Sequence, residues 1–192
     1  MNHKGTLTIQ TERLVLRPFV TQDAQAMFDN WAGDPEVTRF LRWPTHPGVE
    51  VSQAVTDSWV ESYSRPDFYQ WAIVPKTEAF GGKGGQPVGS ISALELREDI
   101  DEVEIGYCIG KEWWNKGITT EALRAIITFF FEQVGSNRIE AHHAVANPHS
   151  GAVMRKSSMI YEGTSRQADR CNAGVMDMSI YAILAEDYFD NR

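Results

Sequence analysis

The sequence predicts an α+β protein built on a mixed, mostly antiparallel sheet, and three observations carry that class. Two strand-like stretches, Phe68 to Val74 and Val88 to Leu96, flank a glycine-rich run, as neighbouring strands of an antiparallel hairpin do. A strand from Val103 to Ile109, an apolar-striped helix and a strand from Arg138 to Val145 follow in that order. That succession implies a parallel pair bridged by a crossover helix. Two further strands, near Ile160 to Arg166 and Val175 to Leu184, close the chain.

The elements follow in order. Arg13-Leu14-Val15-Leu16-Arg17 alternates charged and apolar residues and stops at Pro18, as a half-buried strand does. Thr21 is placed to cap a helix carrying Ala24, Met27, Phe28 and Trp31 at helical spacing. Pro44 and Pro47 flank a turn, after which Val51, Ala54, Val55, Trp59 and Ser62 mark a second helix. The run from Gly81 to Gln86 reads as a flexible hairpin loop. It resembles a phosphate loop in composition only, since Gly-x-x-x-x-Gly-Lys-Ser/Thr is missing and no helix follows. Acidic residues Glu98, Asp99, Asp101 and Glu102 mark the next turn. In the crossover helix Leu123, Ile126, Ile127, Phe130 and Val134 form a stripe widened by Ala122, Phe129 and Phe131, so the helix presses on a sheet. Gly135 and Asn137 end it, and a short helix spans Pro148 to Lys156.

A chain of 192 residues with 42% hydrophobic and 23% charged residues suits one globular domain with a substantial core. No apolar run reaches the length of a membrane span, and the first residues lack a signal-peptide core. Cys108 and Cys171 make no disulfide framework, so the expectation is a cytoplasmic protein with reduced thiols. A formal net charge of −8 argues against a nucleic-acid partner and suits a cationic one, such as an amine or a basic peptide.

The segment from Trp114 to Ala122 carries the chemistry. Gly110 lets the chain turn after the strand, and Gly117 removes a Cβ where a ligand would approach the backbone. Thr119-Thr120 begins the helix. Its first N–H groups lack intrahelical acceptors and sit at the positive end of the helix dipole, so they suit a phosphate or pyrophosphate. Asn115, Lys116 and the threonine hydroxyls add donors; a plain capped helix is the alternative.

Glu104-Ile105-Gly106-Tyr107-Cys108-Ile109, followed by Trp113-Trp114-Asn115-Lys116-Gly117-Ile118-Thr119-Thr120-Glu121-Ala122, resembles the core motif of GNAT acetyltransferases. The branch it resembles is that of the ribosomal-protein N-terminal (RimJ/RimL-type) acetyltransferases. In the superfamily pattern, Gln/Arg-x-x-Gly-x-Gly/Ala, Trp114 stands at the first position and Thr119 at the last. Thr11-Glu12-Arg13-Leu14-Val15-Leu16-Arg17-Pro18, Asn137-Arg138-Ile139-Glu140-Ala141, Asn147 to Lys156 and Met159 to Gly163 resemble further parts of the branch. The resemblance implies one N-acetyltransferase domain over residues 1–192, with its core at about 11–184, helices on both sheet faces and a splayed parallel pair. Where the branch has a glycine, this chain has Ser158, and Arg155 reverses a charge. The serine costs up to about 1 kcal/mol if the backbone there is left-handed.

The resemblance further implies acetyl-CoA as cosubstrate, no metal, and direct attack by an amine in a ternary complex. Cys108, Ile109 and Gly110 would meet the pantetheine arm and supply an oxyanion donor. Trp114, Asn115, Lys116, Gly117, Ile118, Thr119 and Thr120 would hold the pyrophosphate. Ser150 matches a serine that protonates the departing thiolate, and Asn147 would bond the cofactor arm; the alternative is that Asn147 caps the short helix and Ser150 is an ordinary residue of its first turn. Among the acidic residues, Glu104 is the first choice to take the amine proton, with Glu102 its substitute and a solvated strand end the alternative. Tyr161 is a further candidate acid. Cys108 lacks an adjacent base and reads as a core thiol. His142 and His143 point to opposite strand faces and cannot share one ion, so these and His149 read as structural or surface residues. Phe40, Trp43, Trp59, Phe68, Tyr69 and Trp71 either line the acceptor pocket or fill the core. The acceptor is expected to be a protein N-terminus. The alternatives are a small amine (a polyamine, amino acid or aminoglycoside) or a non-catalytic CoA sensor. A homodimer is in keeping with the resemblance.

Overall fold

The computed structural model describes residues 1–80 and 84–190. Its strands are β1 (Ile9–Gln10), β2 (Leu14–Pro18), β3 (Gln70–Pro75), β4 (Gly89–Arg97), β5 (Glu102–Ile109), β6 (Arg138–Ala144), β7 (Ile160–Cys171) and β8 (Gly174–Leu184). The α-helices are α1 (Ala24–Met27), α2 (Pro35–Thr38), α3 (Val49–Ser62), α4 (Ile118–Phe129), α5 (Pro148–Lys156) and α6 (Ala185–Asp190). The strands form one sheet in the order β1-β2-β3-β4-β5-β6-β8-β7. Every neighbouring pair is antiparallel except β5 and β6.

Side-chain alternation sends Leu14, Leu16, Trp71 and Ile73 to one face, where α4 packs Leu123, Ile126 and Ile127 against them. Tyr69 meets Phe130 and Trp71 meets Phe129 edge-on, with ring centroids 4.9 and 5.5 Å apart. Ala72 and Val74 face the other way, onto Phe19, Met27 and Trp31. Each large apolar side chain removed from water contributes about 1.5–3 kcal/mol. The α4 stripe therefore far outweighs the few tenths of a kcal/mol, roughly, that a glycine at the helix start loses against a side-chain cap. Gly117 at that start offers none.

The sheet is not evenly zipped. β4 and β5 pair along the whole of β5, with a bulge between Ala93 and Glu95. β5 and β6 pair only from Glu102 with Arg138 to Glu104 with Glu140. Beyond Glu104 the two strands part, while β6 stays paired with β8 through Ala144. Arg138 anchors the closed end, reaching Glu102 at 2.6 Å, Glu140 at 2.9 Å and Glu162 at 2.6 Å.

Several expectations need correction. Thr21 does not cap the first helix but opens a 3-10 turn, Thr21–Asp23. Asp23 does the work instead, accepting from the Val20 N–H at 2.9 Å and clamping Arg17 at 2.7 and 2.9 Å. The helix itself is broken, α1 passing into a π turn at Phe28–Ala32. Gly110 has an ordinary φ of −57°, so turning is not its purpose. A Cβ there would lie 2.2 Å from the Asn30 carbonyl oxygen, and close approach is what demands the glycine. β7 runs on to Cys171, past the expected end at Arg166, because irregularities between Tyr161 and Gly163 and between Ser165 and Asp169 hide its alternation. The expected hairpin of β3 with β4 is present, but residues 81–83 of its glycine-rich loop lie outside the described residues.

Candidate active site

The start of α4 is shaped by its backbone and braced from the far side. Asn115 and Gly117 both take left-handed conformations, with φ of 60° and 75°. The first intrahelical bond runs from the Glu121 N–H to the Gly117 carbonyl at 3.0 Å, so the N–H groups of Ile118, Thr119 and Thr120 have no intrahelical acceptor. Glu121 accepts from the Thr11 hydroxyl (2.6 Å), the Arg13 N–H (2.8 Å) and Arg13 Nε (2.6 Å). Burial pushes its carboxyl up, but these bonds outweigh burial and hold it below the usual range. Arg13 also donates to the Lys116 carbonyl at 3.1 Å. The opening strand and the turn are thus one unit, a link that spacing alone did not suggest.

A cavity of about 790 Å³ runs from this turn into the fork between β5 and β6. Trp114, Asn115, Gly117, Ile118, Thr119 and Thr120 line it at one end, and Cys108, Ile109 and Asn147 line it farther in. Lys116 and Gly110 do not line it; the Lys116 ammonium lies over the Trp113 ring at 5.0 Å. The Gly110 N–H bonds the carbonyl of Val88, the residue before β4, so by alternation Tyr107 and Ile109 direct their backbone groups toward the open fork. Trp114 has a use not foreseen: its indole N–H donates to the Ile109 carbonyl at 2.9 Å.

Glu104 sits at the point of the fork, buried and on the cavity wall. Burial pushes its carboxyl above the ordinary range, opposed by His142 and Arg42. His142 Nδ1 lies 3.7 Å from Glu104 and Arg42 Nη2 4.0 Å. His142 Nε2 is 3.2 Å from Glu140 Oε1, close enough for an ion pair although not aligned as a hydrogen bond. Glu140 raises the imidazole's proton affinity, and His142 with Arg138 holds Glu140 down to about 2. Glu104, Glu140 and His142 bring possible metal-ligand atoms within 4.8 Å of one another, so His142 is more than a surface residue. Arg42 and Arg138 already supply positive charge there. Glu102, by contrast, has its oxygens on Arg97 and Arg138 at 2.9 and 2.6 Å and does not line the cavity.

Ser150, in the first turn of α5, lines the cavity across the fork. The Tyr107 hydroxyl donates to the Ser150 carbonyl at 3.0 Å and stands 3.0 Å from its Oγ. With that phenolic proton engaged, Ser150 Oγ–H is left to donate to the Tyr107 oxygen. Burial pushes the Tyr107 phenol well up, so it stays protonated. The Tyr107 side chain is a functional group beyond those expected from the sequence; strand alternation, which puts it on the face opposite Glu104, is the signal for it. Tyr161 is exposed, bonds Thr164 at 2.8 Å and is absent from the cavity wall. The Cys108 thiol is raised by burial and has Ser90 Oγ at 3.4 Å as its neighbour, with no base beside it. His143 turns away from His142, donates its Nδ1–H to the Ala144 carbonyl (2.8 Å), and burial lowers its proton affinity.

The far end of the cavity is closed by two loops. Arg42 pairs with Asp169 of β7 at 2.6 Å. The tip of the β7–β8 hairpin is stapled down, with Asn172 Nδ2 on the Thr38 and Trp43 carbonyls at 2.9 and 2.8 Å. Of the aromatic candidates, Phe40, Trp43 and Trp59 line the cavity, whereas Tyr69 and Trp71 belong to the core and Phe68 packs on Tyr63.

A mixed sheet that splits at a buried carboxylate, beside an uncapped helix start, defines a group transferase of the acyl-CoA-using kind. The chain belongs to the acetyltransferase (GNAT) domain family, which matches residues 13–160. It is 27% identical over 187 residues to the uncharacterized N-acetyltransferase p20 of Bacillus licheniformis, covering 94% of this chain and 98% of that one. It is 24% identical over 192 residues to the [ribosomal protein uS5]-alanine N-acetyltransferase of Escherichia coli (strain K12), covering 96% and 94%. The structure of a ribosomal L7/L12 alpha-N-protein acetyltransferase in complex with coenzyme A superposes with a TM-score of 0.78 at 19% identity, covering 94% and 99%. The protein is therefore an acetyltransferase with acetyl-CoA as its cosubstrate, and no metal is needed for this fold. No helix among the described residues is long and apolar enough to cross a membrane.

Proposed function

We propose that the chain, acting as a single domain, transfers acetyl from acetyl-CoA to the N-terminal α-amine of a protein or peptide by direct attack. The observation that carries the reading is Glu104, a buried carboxylate at the fork, in one cavity with the uncapped start of α4. Acetyl-CoA supplies the activated thioester. The N–H groups of Ile118 to Thr120, with Asn115 and the threonine hydroxyls, would hold its pyrophosphate. The backbone of Tyr107 and Ile109, together with Asn147, would hold its arm, with Cys108 on the wall beside it. Glu104 would take the proton from the attacking amine as nitrogen bonds to the acetyl carbon and the carbon–sulfur bond breaks. Ser150, held in place by the Tyr107 hydroxyl, would turn its proton from the Tyr107 oxygen to the sulfur and regain one from water, while the proton taken by Glu104 passes to solvent. The family relatives named for acetylating ribosomal proteins support a protein acceptor.

The test is release of free thiol from acetyl-CoA with a panel of peptides and small amines. Turnover with unblocked peptides and none with N-formylated copies of them is the expected result. Turnover only with small amines would replace the protein acceptor. Tight CoA binding with no thiol release from any amine would make the protein a sensor.

A further inference from the structure

Beyond Glu104 the cavity continues into a chamber whose surfaces differ in chemistry. Its floor is the sheet, where Gln70 pairs with Ser92 and Ser92 with Gly106, on the same face as Glu104. Gln70 and Ser92 are only 7% and 9% exposed, and both line the cavity. The hydrogen bonds to Gln70 from Tyr63 and to Thr6 involve its backbone, so its side-chain amide has no protein partner among the described residues. Trp31 packs behind the same wall, completely buried, and its indole N–H, shielded from the cavity, has no acceptor among the described residues. The rings of Phe40, Trp43 and Trp59 line the same cavity.

Buried polar groups are nearly always hydrogen-bonded. An amide without a protein partner on the floor of a chamber that three aromatic rings also line therefore fits a polar atom carried at the end of an apolar body. Two strand spacings put Gln70 about 10 Å across the sheet from β5. Gln70 stands opposite Gly106, two residues along β5 from Glu104, so the diagonal between the two positions is about 12 Å, a span that an aromatic side chain plus one hydrogen bond fills once the Glu104 and Gln70 side chains reach in from its ends. On the reading that the chain acetylates an α-amine, we propose that this chamber receives the acceptor's first side chain and selects an aromatic ring with a hydrogen-bonding tip, as in tyrosine or tryptophan.

The test compares peptides differing only in the first residue: tyrosine, tryptophan, phenylalanine, alanine and serine. The expected kcat/KM with tyrosine or tryptophan exceeds that with alanine or serine by about tenfold or more, from burial of the ring. Tyrosine exceeds phenylalanine by about fivefold, the value of one neutral hydrogen bond. Q70L, and S92A should Q70L not fold, brings the tyrosine-to-phenylalanine ratio close to one. Equal or faster turnover with alanine or serine overturns the subsite and leaves the α-amine reading intact. If no peptide reacts, that reading fails, and calorimetry of tyramine against ethylamine with CoA present still judges the chamber. Tighter binding of tyramine supports it, and equal binding overturns it.

Discussion

The two ends of the cavity are built on different principles. At the α4 end the working groups are backbone N–H groups, and the side chains around them serve as braces: Thr11 and Arg13 grip Glu121, and Trp114 grips the Ile109 carbonyl. At the far end the working surface is made of side chains, Phe40, Trp43 and Trp59, carried by α3 and the segment after α2. A loop stapled by Asn172 holds part of that surface in place. Backbone chemistry is indifferent to most substitutions, whereas a side-chain pocket changes with each one. One end is thus suited to a constant ligand, and the other to an acceptor that differs between related proteins.

Variants should separate the ends, and the largest effect belongs to the point where they meet. Glu104→Gln should lower kcat by about 10²–10⁴-fold, the usual worth of a general base. Equilibrium binding of CoA should survive, and its loss would show that Glu104 shapes the donor end as well. Glu121→Ala frees Arg13 and the turn together. It should raise the KM for acetyl-CoA about tenfold and cost about 2–3 kcal/mol of stability, as a charge-assisted network does. Steady-state kinetics in each substrate and a denaturant titration read both quantities.

Asn172→Ala should act at the opposite end, raising the acceptor KM about threefold to tenfold through the loss of two hydrogen bonds. The KM for acetyl-CoA is the control that must not move. The pH profile sharpens the junction. Burial holds the Glu104 pKa above the ordinary range, so the basic form needed for catalysis is full above that raised value. It is lost as pH falls through it, placing the acid limb of kcat/KM above the usual carboxylate range. His142 opposes the effect of burial, so His142→Gln should move the limb to still higher pH; movement downward would contradict the charge assignment.

The smallest effect lies outside the cavity. Ser158 has a φ of 66°, a left-handed conformation that costs a residue with a Cβ about 1 kcal/mol. Ser158→Gly should therefore raise the melting temperature by a few degrees with kinetics unchanged, as differential scanning calorimetry would record.

The difference between the ends also explains what could be read in advance. The strand, crossover helix and strand around α4 are strongly periodic, and Gly117 marks a backbone requirement that spacing exposes. The short helix at Pro148–Lys156 was legible for the same local reasons. β1, α2 and α6 were not, being two to six residues long and without a full period. Tyr107 beside Ser150, Arg42 beside Asp169 and Asn172 on the Thr38 carbonyl join residues 43 to 134 positions apart. No local pattern encodes such meetings. The reason for Gly110 was hidden likewise, since the carbonyl that crowds it belongs to Asn30.

The short pairing of β5 with β6 has a consequence for how the molecule assembles. Strands β2 to β5 and strands β6 to β8 are each joined by antiparallel pairings along much of their length, but the two groups share only three rungs, Glu102 to Glu104 with Arg138 to Glu140. Those rungs close the loop formed by residues 110–137, whose lost entropy is large against so little backbone bonding. The join must draw its strength from α4 lying across it and from Arg138 gathering three carboxylates at the seam. In mechanical terms the sheet is two stiff plates on a narrow riveted hinge, and the Glu104 carboxylate is mounted on the last rung before the gap.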